Sequence, residues 1–242
     1  MMSDIRLFAD KASSSRAVAQ AFVERASEGG RFSVALAGGS TPQFLYELLA
    51  TEYRDRVPWE RIHFFWSDER YVPLDHAESN TRLVRQALLD HVWVPAENIH
   101  IPPVEFADPD EAARRYEEEL HRFFNGGEPR LSWVLLGLGE DGHLASLFPG
   151  SPSLVESKRS VIAVRDSPKP PPVRLTMTLP LINHAAEIHF LVTGSGKAPA
   201  LSAALEAPQD PARRPAQGIQ PINGTLTWWH DAQAGSKLNL SK

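Results

Sequence analysis

The chain has 242 residues, of which 42 % are hydrophobic and 23 % charged, and its formal net charge is −5 at pH 7. This length suits one large globular domain or two small ones, and the negative charge gives no indication of nucleic-acid binding. Cysteine is absent, which excludes disulfides, thiolate nucleophiles and cysteine-ligated zinc. No apolar run approaches the length of a membrane span. Residues 1–6 lack the basic start and apolar core of a signal peptide, so we expect a cytoplasmic protein.

Strand-like and helix-like segments alternate along the chain. In chain order they are a strand at 32–37, a helix at 42–50, a strand at 62–66, helices at 79–90 and 111–124, strands at 133–136, near 161–165 and at 188–192, a helix from about Lys197, and a strand at 226–229. This alternation predicts an α/β fold, a mainly parallel, Rossmann-like sheet covered by helices. Because the alternation continues across the proline-rich stretches, we expect residues 1–242 to form a single domain. Ligands of such sheets bind at the carboxyl ends of the strands.

A glycine pair follows the first predicted strand and precedes a helix, within residues 37–42. Thr41 is a suitable N-cap, and Pro42 suits the first helical position. Free backbone N–H groups and the positive end of the helix would then form a cradle for an anion. Gly38, Gly39 and Ser40 are therefore candidate phosphate ligands, although a plain strand-to-helix turn has the same composition.

Two arginines follow other segments that could meet at the same edge. Arg70 comes after the strand at 62–66, and its planar fork suits a phosphate or carboxylate. Asp68, beside it, could orient a hydroxyl or accept a proton, but a solvated charge cluster would look the same. Arg174 follows the proline-rich stretch 168–172, whose restricted backbone could hold a loop rigid. It is a candidate anion ligand or else a surface arginine.

Lys197 begins a predicted helix after the strand at 188–192, in the segment Thr-Gly-Ser-Gly-Lys. This is not a P-loop, because Leu191 stands where that motif requires glycine and Ala198 where it requires Ser or Thr. We therefore expect no nucleoside triphosphate site. A lysine at a helix start that contacts a phosphate remains a reasonable prediction.

The segment after the strand at 133–136 contains Gly137, Gly139 and Gly142, followed by His143. Three glycines in six residues are costly in an ordered chain, and they suit a backbone that approaches a ligand closely. Histidine titrates near neutral pH, so His143 is a candidate general base; a structural histidine is the alternative. The other histidines do not cluster as metal ligands, and no Gly-x-Ser-x-Gly elbow is present, so we expect neither a metal site nor a serine nucleophile.

Taken together, these motifs resemble the 6-phosphogluconolactonase family. The matching blocks, in the family's order and across most of the chain, are 36–42, 66–73 with Ser79-Asn80, 137–150, 171–176 and 192–198. The related glucosamine-6-phosphate deaminases typically place Phe-Asn-Glu-Pro after the histidine, whereas this chain has Ser146-Leu147-Phe148-Pro149 and lacks that acid. They also tend to have Asp-Glu-Tyr at the position of residues 68–70. Both departures favour a lactonase.

The resemblance implies a carboxylic ester hydrolase that converts 6-phospho-D-glucono-1,5-lactone to 6-phosphogluconate, the second step of the oxidative pentose phosphate pathway, without a metal or cofactor. We hypothesise that His143 activates water, that Asp141 orients the imidazole, and that Gly137, Gly139 or Gly142 donates a backbone N–H to the oxyanion. The groups expected to bind phosphate and sugar hydroxyls are Gly38, Gly39, Ser40, Asp68, Arg70, Arg174 and Lys197.

Two other functions remain open at this point: a sugar-phosphate deaminase or isomerase, and a catalytically silent sugar-phosphate sensor. The expected partner is a small sugar phosphate, with no nucleic acid and no membrane, and we expect a monomer or a weak homo-oligomer. The split of the basic residues between phosphate and hydroxyls, the acid that pairs with His143, and movement of the loop 168–174 are left undecided by the sequence.

Overall fold

A computed structural model describes residues 3–239. The predicted single domain also includes Met1, Met2 and residues 240–242, which lie outside the described residues. The segment 1–6, in which we expect no signal peptide, therefore begins outside them. The strands are β1 (Asp4–Phe8), β2 (Phe32–Leu36), β3 (Ile62–Trp66), β4 (Asp68–Arg70), β5 (Trp133–Leu136), β6 (Val161–Val164), β7 (Arg174–Met177), β8 (Glu187–Val192) and β9 (Thr225–Asp231). The α-helices are α1 (Lys11–Ser27), α2 (Ser40–Ala50), α3 (Asn80–Val84), α4 (Pro109–Phe123), α5 (Leu179–Asn183) and α6 (Ala198–Glu206).

The larger sheet has six strands in the order β1-β9-β8-β5-β2-β3, and every neighbouring pair is parallel. This confirms the predicted mainly parallel α/β fold. A second sheet, β4-β7-β6, is antiparallel and was not predicted. In it Asp68 pairs with Thr176, and Arg70 pairs with Arg174. The second sheet therefore brings two motifs together that lie about a hundred residues apart in the chain.

Hydrophobic clusters cover both faces of the parallel sheet, as the buried strands of such sheets require. On one face α1 and α2 pack through residues such as Phe22 and Leu45, and Phe22 meets Trp133 of β5 edge to face at 5.7 Å. On the other face α4, α6 and the antiparallel sheet pack through residues such as Leu120, Leu201 and Leu175. The sheet is thus a rigid base for the loops at its carboxyl edge.

Helix starts follow capping chemistry. Asp10 accepts the backbone N–H of Ser13 at 2.7 Å and completes a capping box for α1. Asp108 accepts the N–H of Asp110 at the start of α4, with Pro109 in its first turn. None of the helices within residues 3–239 is long and apolar enough to cross a bilayer.

The carboxyl ends of four parallel strands lie at one edge of the sheet and lead into the motifs singled out above. Gly38 follows β2, Asp68 follows β3, Gly137 follows β5 and Gly194 follows β8. In an open α/β sheet this edge is where ligands bind. The fold therefore places all the predicted turns in one region.

Candidate active site

The side chain of Tyr46 in α2 fixes the glycine turn after β2 by hydrogen bonds. The buried Tyr46 hydroxyl donates to the carbonyl of Ala37 at 2.7 Å and accepts its N–H at 3.0 Å. Gly39 has a φ of 105°, which favours glycine. Within residues 3–239, the N–H groups of Gly38, Gly39 and Ser40 have no hydrogen-bond acceptor. The turn therefore presents three free donors at the start of α2.

The predicted cap of this helix is wrong. Helix α2 begins at Ser40, its N-cap is Gly39, and no side chain caps it. The Thr41 hydroxyl lies inside the first turn and instead bonds the hydroxyl of Thr193 at 2.8 Å, at the end of β8. Pro42 is accordingly not the first helical residue. The side chain of Thr41 therefore links the turn after β2 to the turn after β8 and caps no N–H group of the helix. The N–H groups at the start of α2 stay available to an anion.

His143 and Asp141 contact one another directly. Nδ1 of His143 lies 2.5 Å from Oδ1 of Asp141. Partial burial raises the pKa of Asp141, but the hydrogen bonds from His143 and Lys169 outweigh it and hold that pKa well below its usual range. An ionised Asp141 accepts a hydrogen bond, which assigns the proton to Nδ1 and leaves Nε2 as the free base nitrogen.

The glycines around His143 shape this turn. The N–H of Gly139 donates to the carbonyl of His143 at 2.8 Å, and the N–H of Gly142 donates to the carbonyl of Gly139 at 3.0 Å. A Cβ on Gly139 would lie 2.0 Å from Nδ1 of His143, so a larger residue cannot stand there. The N–H of Gly137 has no acceptor in the described part of the chain. Of the three glycines predicted to face an oxyanion, only Gly137 has a free donor in this conformation.

Asp68 is not part of a solvated loop, contrary to the alternative that its charged neighbours suggested. It lies in β4, is 6 % exposed, and accepts the Ser146 hydroxyl at 2.7 Å and the Asn80 amide at 3.3 Å. Its Oδ2 is 3.9 Å from Nη1 of Arg174. The carboxylate thus joins β4, the segment after His143 and the start of α3 behind the cavity.

Arg174 is buried at 3 % exposure rather than on the surface. Its guanidinium donates to the backbone carbonyls of Lys169, Pro170 and Pro171, at 3.1–3.2 Å. Burial lowers the pKa of Arg174, and the nearby Asp68 opposes this shift. Most of its donors are therefore used to hold the proline-rich loop.

Arg70 and Lys197 keep donors available. The Nη1 of Arg70 donates to the carbonyl of Glu78 at 2.7 Å, but its Nε is buried and has no partner among the described residues. The Lys197 ammonium forms no ion pair or hydrogen bond within residues 3–239. Burial lowers the pKa of Lys197, and the negative charge of the nearby Glu140 opposes this shift. A buried donor without an acceptor is costly, which applies to Nε of Arg70. The ammonium of the half-buried Lys197 is free to pair with an anion, so both cations suit an anionic ligand.

These groups line one cavity of about 180 Å³. Its walls contain Gly38, Gly39, Asp68, Arg70, Asn80, Gly137, Gly139, His143, Arg174 and Lys197. Three larger concavities, of about 510, 440 and 270 Å³, lie elsewhere and contain none of these residues. Within residues 3–239 no group of three or more His, Asp or Glu side chains is arranged to hold a metal ion.

Comparison with known proteins shows the family to which the chain belongs. The family model for glucosamine-6-phosphate isomerases/6-phosphogluconolactonase matches residues 9–228. The chain belongs to this family. It is 47 % identical over 214 residues to the 6-phosphogluconolactonase of Synechocystis sp., covering 87 % of this chain and 86 % of that one. It is 39 % identical to the 6-phosphogluconolactonase of Mycobacterium tuberculosis over 98 % of this chain and 99 % of that one.

The structure of 6-phosphogluconolactonase from Trypanosoma cruzi is also similar. It superimposes on this member of the glucosamine-6-phosphate isomerase/6-phosphogluconolactonase family with a TM-score of 0.87 at 31 % identity, and covers 100 % of this chain and 98 % of that one. The resemblance inferred from the sequence motifs is therefore confirmed at the level of family and fold. The roles of individual residues rest on the geometry above.

Most of the predicted site residues of this family member meet in the cavity, but two contributors were missed. Asn80 belongs to a matching block, yet it was not predicted to line the site; its Oδ1 is buried and has no partner among the described residues. Lys169 places its ammonium 3.1 Å from Oδ2 of Asp141. The proline-rich setting of Lys169 was noticed, but nothing in the local sequence indicates that its side chain reaches a residue 28 positions earlier.

Proposed function

We propose that the chain hydrolyses 6-phospho-D-glucono-1,5-lactone to 6-phosphogluconate with His143 as general base. The observation that carries this proposal is the 2.5 Å contact of Asp141 with Nδ1 of His143 in a cavity that also contains Arg70 and Lys197. A lactone is an activated ester, so a positioned water and a base suffice for its hydrolysis. Family membership supports the same substrate class.

In this mechanism the phosphate binds to the open end of α2. The free N–H groups of Gly38, Gly39 and Ser40 donate to it, and Arg70 and Lys197 neutralise its charge. Arg174 contributes mainly by fixing its loop, since its guanidinium is already bonded to loop carbonyls and pairs with a buried carboxylate. Fixing the phosphate orients the lactone and removes part of the entropic barrier.

The sugar hydroxyls would meet oxygen acceptors. Asp68 and Asn80 line the same cavity, and the Oδ1 of Asn80 lacks a partner among residues 3–239. A hydroxyl donor is the complementary group for such an oxygen, because a buried acceptor left unpaired is destabilising. We therefore propose that cations and backbone N–H groups bind the phosphate, and that carbonyl or carboxylate oxygens accept hydrogen bonds from the sugar hydroxyls.

The chemical steps follow from the protonation state of His143. A water molecule attacks C1 of the lactone while Nε2 takes its proton, and the carbonyl oxygen becomes an oxyanion near the free N–H of Gly137. The ionised Asp141 stabilises the imidazolium that forms. The bond between C1 and the ring oxygen then breaks, and the ring oxygen takes the proton from Nε2. Water is consumed, and the histidine returns to its starting state.

The site does not favour the sugar-phosphate deaminase alternative. The segment after His143 supplies no carboxylate, and its Ser146 is buried with its hydroxyl on Asp68. A ring-opening acid is thus missing from the position where the related deaminases carry it.

The proposed function is tested by lactone hydrolysis measured against the spontaneous background, in parallel with ammonia release from glucosamine 6-phosphate. We expect rapid hydrolysis of the phosphorylated lactone and no ammonia. Ammonia release would establish the deaminase instead. Calorimetric binding of 6-phosphogluconate without any hydrolysis would establish a silent sensor.

A further inference from the structure

The ammonium of Lys169 lies at the catalytic pair on the side of Asp141. Its Nζ is 3.1 Å from Oδ2 of Asp141 and 3.4 Å from Nδ1 of His143. Oδ1 of Asp141 is the oxygen that contacts Nδ1 of His143. The two carboxylate oxygens of Asp141 are therefore divided between a lysine and a histidine.

Lys169 is delivered by a loop that is fixed on several sides. The Ser167 hydroxyl donates to the carbonyl of Lys169 at 2.8 Å, and the N–H of Ser167 donates to the carbonyl of Pro172 at 3.0 Å. The buried Arg174 holds the carbonyls of residues 169–171. Arg174 also lies over the ring of Phe148, 5.7 Å from its centroid, and the same ring stacks on His143 at 4.6 Å. The loop and the histidine are thus packed on a common support.

We propose that Lys169 is a positioning residue for the His143–Asp141 pair. By occupying Oδ2, its ammonium keeps Oδ1 of Asp141 on Nδ1 of the imidazole and so keeps Nε2 aimed as the free base. As a cation 3.4 Å from Nδ1 of the imidazole, it also disfavours a second positive charge there. This inference deepens the proposed function and rests on it where it concerns the rate.

Other charged groups around His143 make weaker contributions. Glu140 belongs to the same turn, and Lys197 interacts electrostatically with Glu140, Lys169 and Asp141. Arg174 lies over the ring of Phe148, and Asp68 and Arg70 line the same cavity as His143. Asp141 at 2.5 Å and Lys169 at 3.4 Å are the charged groups in contact with Nδ1 of His143 among the described residues. Removal of the Lys169 charge should therefore be felt directly by the imidazole.

Lys169 takes no part in bond making under this proposal. The proton moves from water to Nε2 and then to the ring oxygen, and the lysine stays protonated throughout. Its side chain is 44 % exposed, so its replacement removes little packing and the variant should fold. That exposure also limits the size of the electrostatic effect, because solvent screens exposed charges.

The test compares Lys169→Met and Lys169→Arg with Lys158→Met, which removes an exposed ammonium outside the cavity. For Lys169→Met we expect kcat to fall about three- to tenfold, KM for the lactone to change less than about twofold, and the acidic limb of the pH–rate profile to move up by about half a pH unit. Lys169→Arg should restore most of the rate and the position of the limb. Lys158→Met should behave as the unmodified protein.

An activity-independent readout separates this proposal from the proposed function. The midpoint of the His143 imidazole titration, followed by NMR, should rise by about half a pH unit in Lys169→Met. An unchanged midpoint would overturn the inference, and so would a pure KM effect, which would make Lys169 a substrate ligand. If both Lys169 variants lost rate and the acidic limb of the pH–rate profile did not move, the role of Lys169 would be merely structural. If the unmodified protein did not hydrolyse the lactone, the proposed function would fail, and the NMR midpoint would still decide the role of Lys169.

Discussion

The side chains of Asp141 and His143, which are two residues apart in the chain, are in direct contact. The glycine-rich segment predicts a positioned histidine, and local turn geometry is enough to bring Asp141 to its Nδ1. The role of Arg174 could not be predicted in the same way, because its partners are carbonyls of its own loop and a carboxylate in another strand. The contact of Lys169 depends likewise on where the antiparallel sheet places that loop.

Replacement of Lys197 tests the proposal that its ammonium binds the phosphate of the substrate. Its ammonium has no partner within residues 3–239, and a hydrogen bond to a charged group contributes about 1.5–3 kcal/mol. Lys197→Met should therefore raise KM for the phosphorylated lactone about 10- to 100-fold and change the rate with unphosphorylated gluconolactone less than about twofold. Steady-state kinetics with both substrates measures this, with Lys158→Met as the matched control. An equal loss with both lactones would contradict the phosphate role.

At the scale of elements, the strands and helices that the sequence predicts are those whose apolar pattern is set locally. The strands at 62–66 and 133–136 agree with β3 and β5, and the helix predicted at 111–124 agrees with α4, which begins two residues earlier. The polar β4 was not predicted, because only its pairing with β7 makes it a strand. Helix α1 was missed although its signals are local: Asp10 caps it, and Val18, Phe22 and other apolar residues recur at helical spacing.

The turn between β2 and α2 has a testable steric limit. A Cβ on Gly38 would lie 1.9 Å from Oδ1 of Asn80, and the Asn80 amide is held by the carbonyl of Asp68 at 2.8 Å. Because this asparagine is buried and the added methyl group would displace it from its hydrogen bond to Asp68, Gly38→Ala should destabilise the protein by about 1–3 kcal/mol.

Urea unfolding of Gly38→Ala measures this loss. Gly137→Ala serves as the control for stability alone, since a Cβ at Gly137 meets no atom within 4 Å. Equal free energies of unfolding for the two variants would show that the turn relaxes freely. In that case glycine at position 38 would be needed only for the ligand.

At the scale of the whole molecule, one six-stranded parallel sheet gathers turns from distant parts of the chain at a single edge. The sequence predicts this convergence, because strand–helix alternation implies a parallel sheet and the motifs follow its strands. It does not predict the second sheet, whose strands β6 and β7 support the loop that carries Lys169. Non-local pairing of short strands leaves little trace in local composition.

Two histidines in contact outside the cavity, the buried His100 and the half-buried His63, make the stability of the molecule depend on pH. His63 contacts His100 at 3.1 Å, and His100 contacts Glu119 at 2.8 Å. Burial, helped by His100 and Arg31, lowers the pKa of His63 from 6.5 to about 4, and the nearby Glu97 opposes the shift. The unfolded chain therefore binds more protons than the folded one between these two values. The contribution of neutral His63 to the free energy of unfolding is fully present above about pH 6.5 and is lost as the pH falls towards 4.

Replacement of His63 isolates this effect. Between pH 7.5 and pH 5, we expect the free energy of unfolding to drop by about 1 kcal/mol more in the unmodified protein than in His63→Gln, after allowance for solvent screening of the partly exposed ring. Urea unfolding at the two pH values gives the comparison. A larger drop in the variant would reverse the sign and exclude His63 as the cause.

In the proposed function the imidazole of His143 activates water for lactone hydrolysis. The most direct measurement is kcat for the phosphorylated lactone, corrected for spontaneous hydrolysis, in the unmodified protein and in His143→Ala. We expect a fall of about 10²- to 10⁴-fold, the usual contribution of a general base, with the circular dichroism spectrum and the affinity for 6-phosphogluconate retained. A kcat that is unchanged in His143→Ala would contradict the role of His143 as the general base.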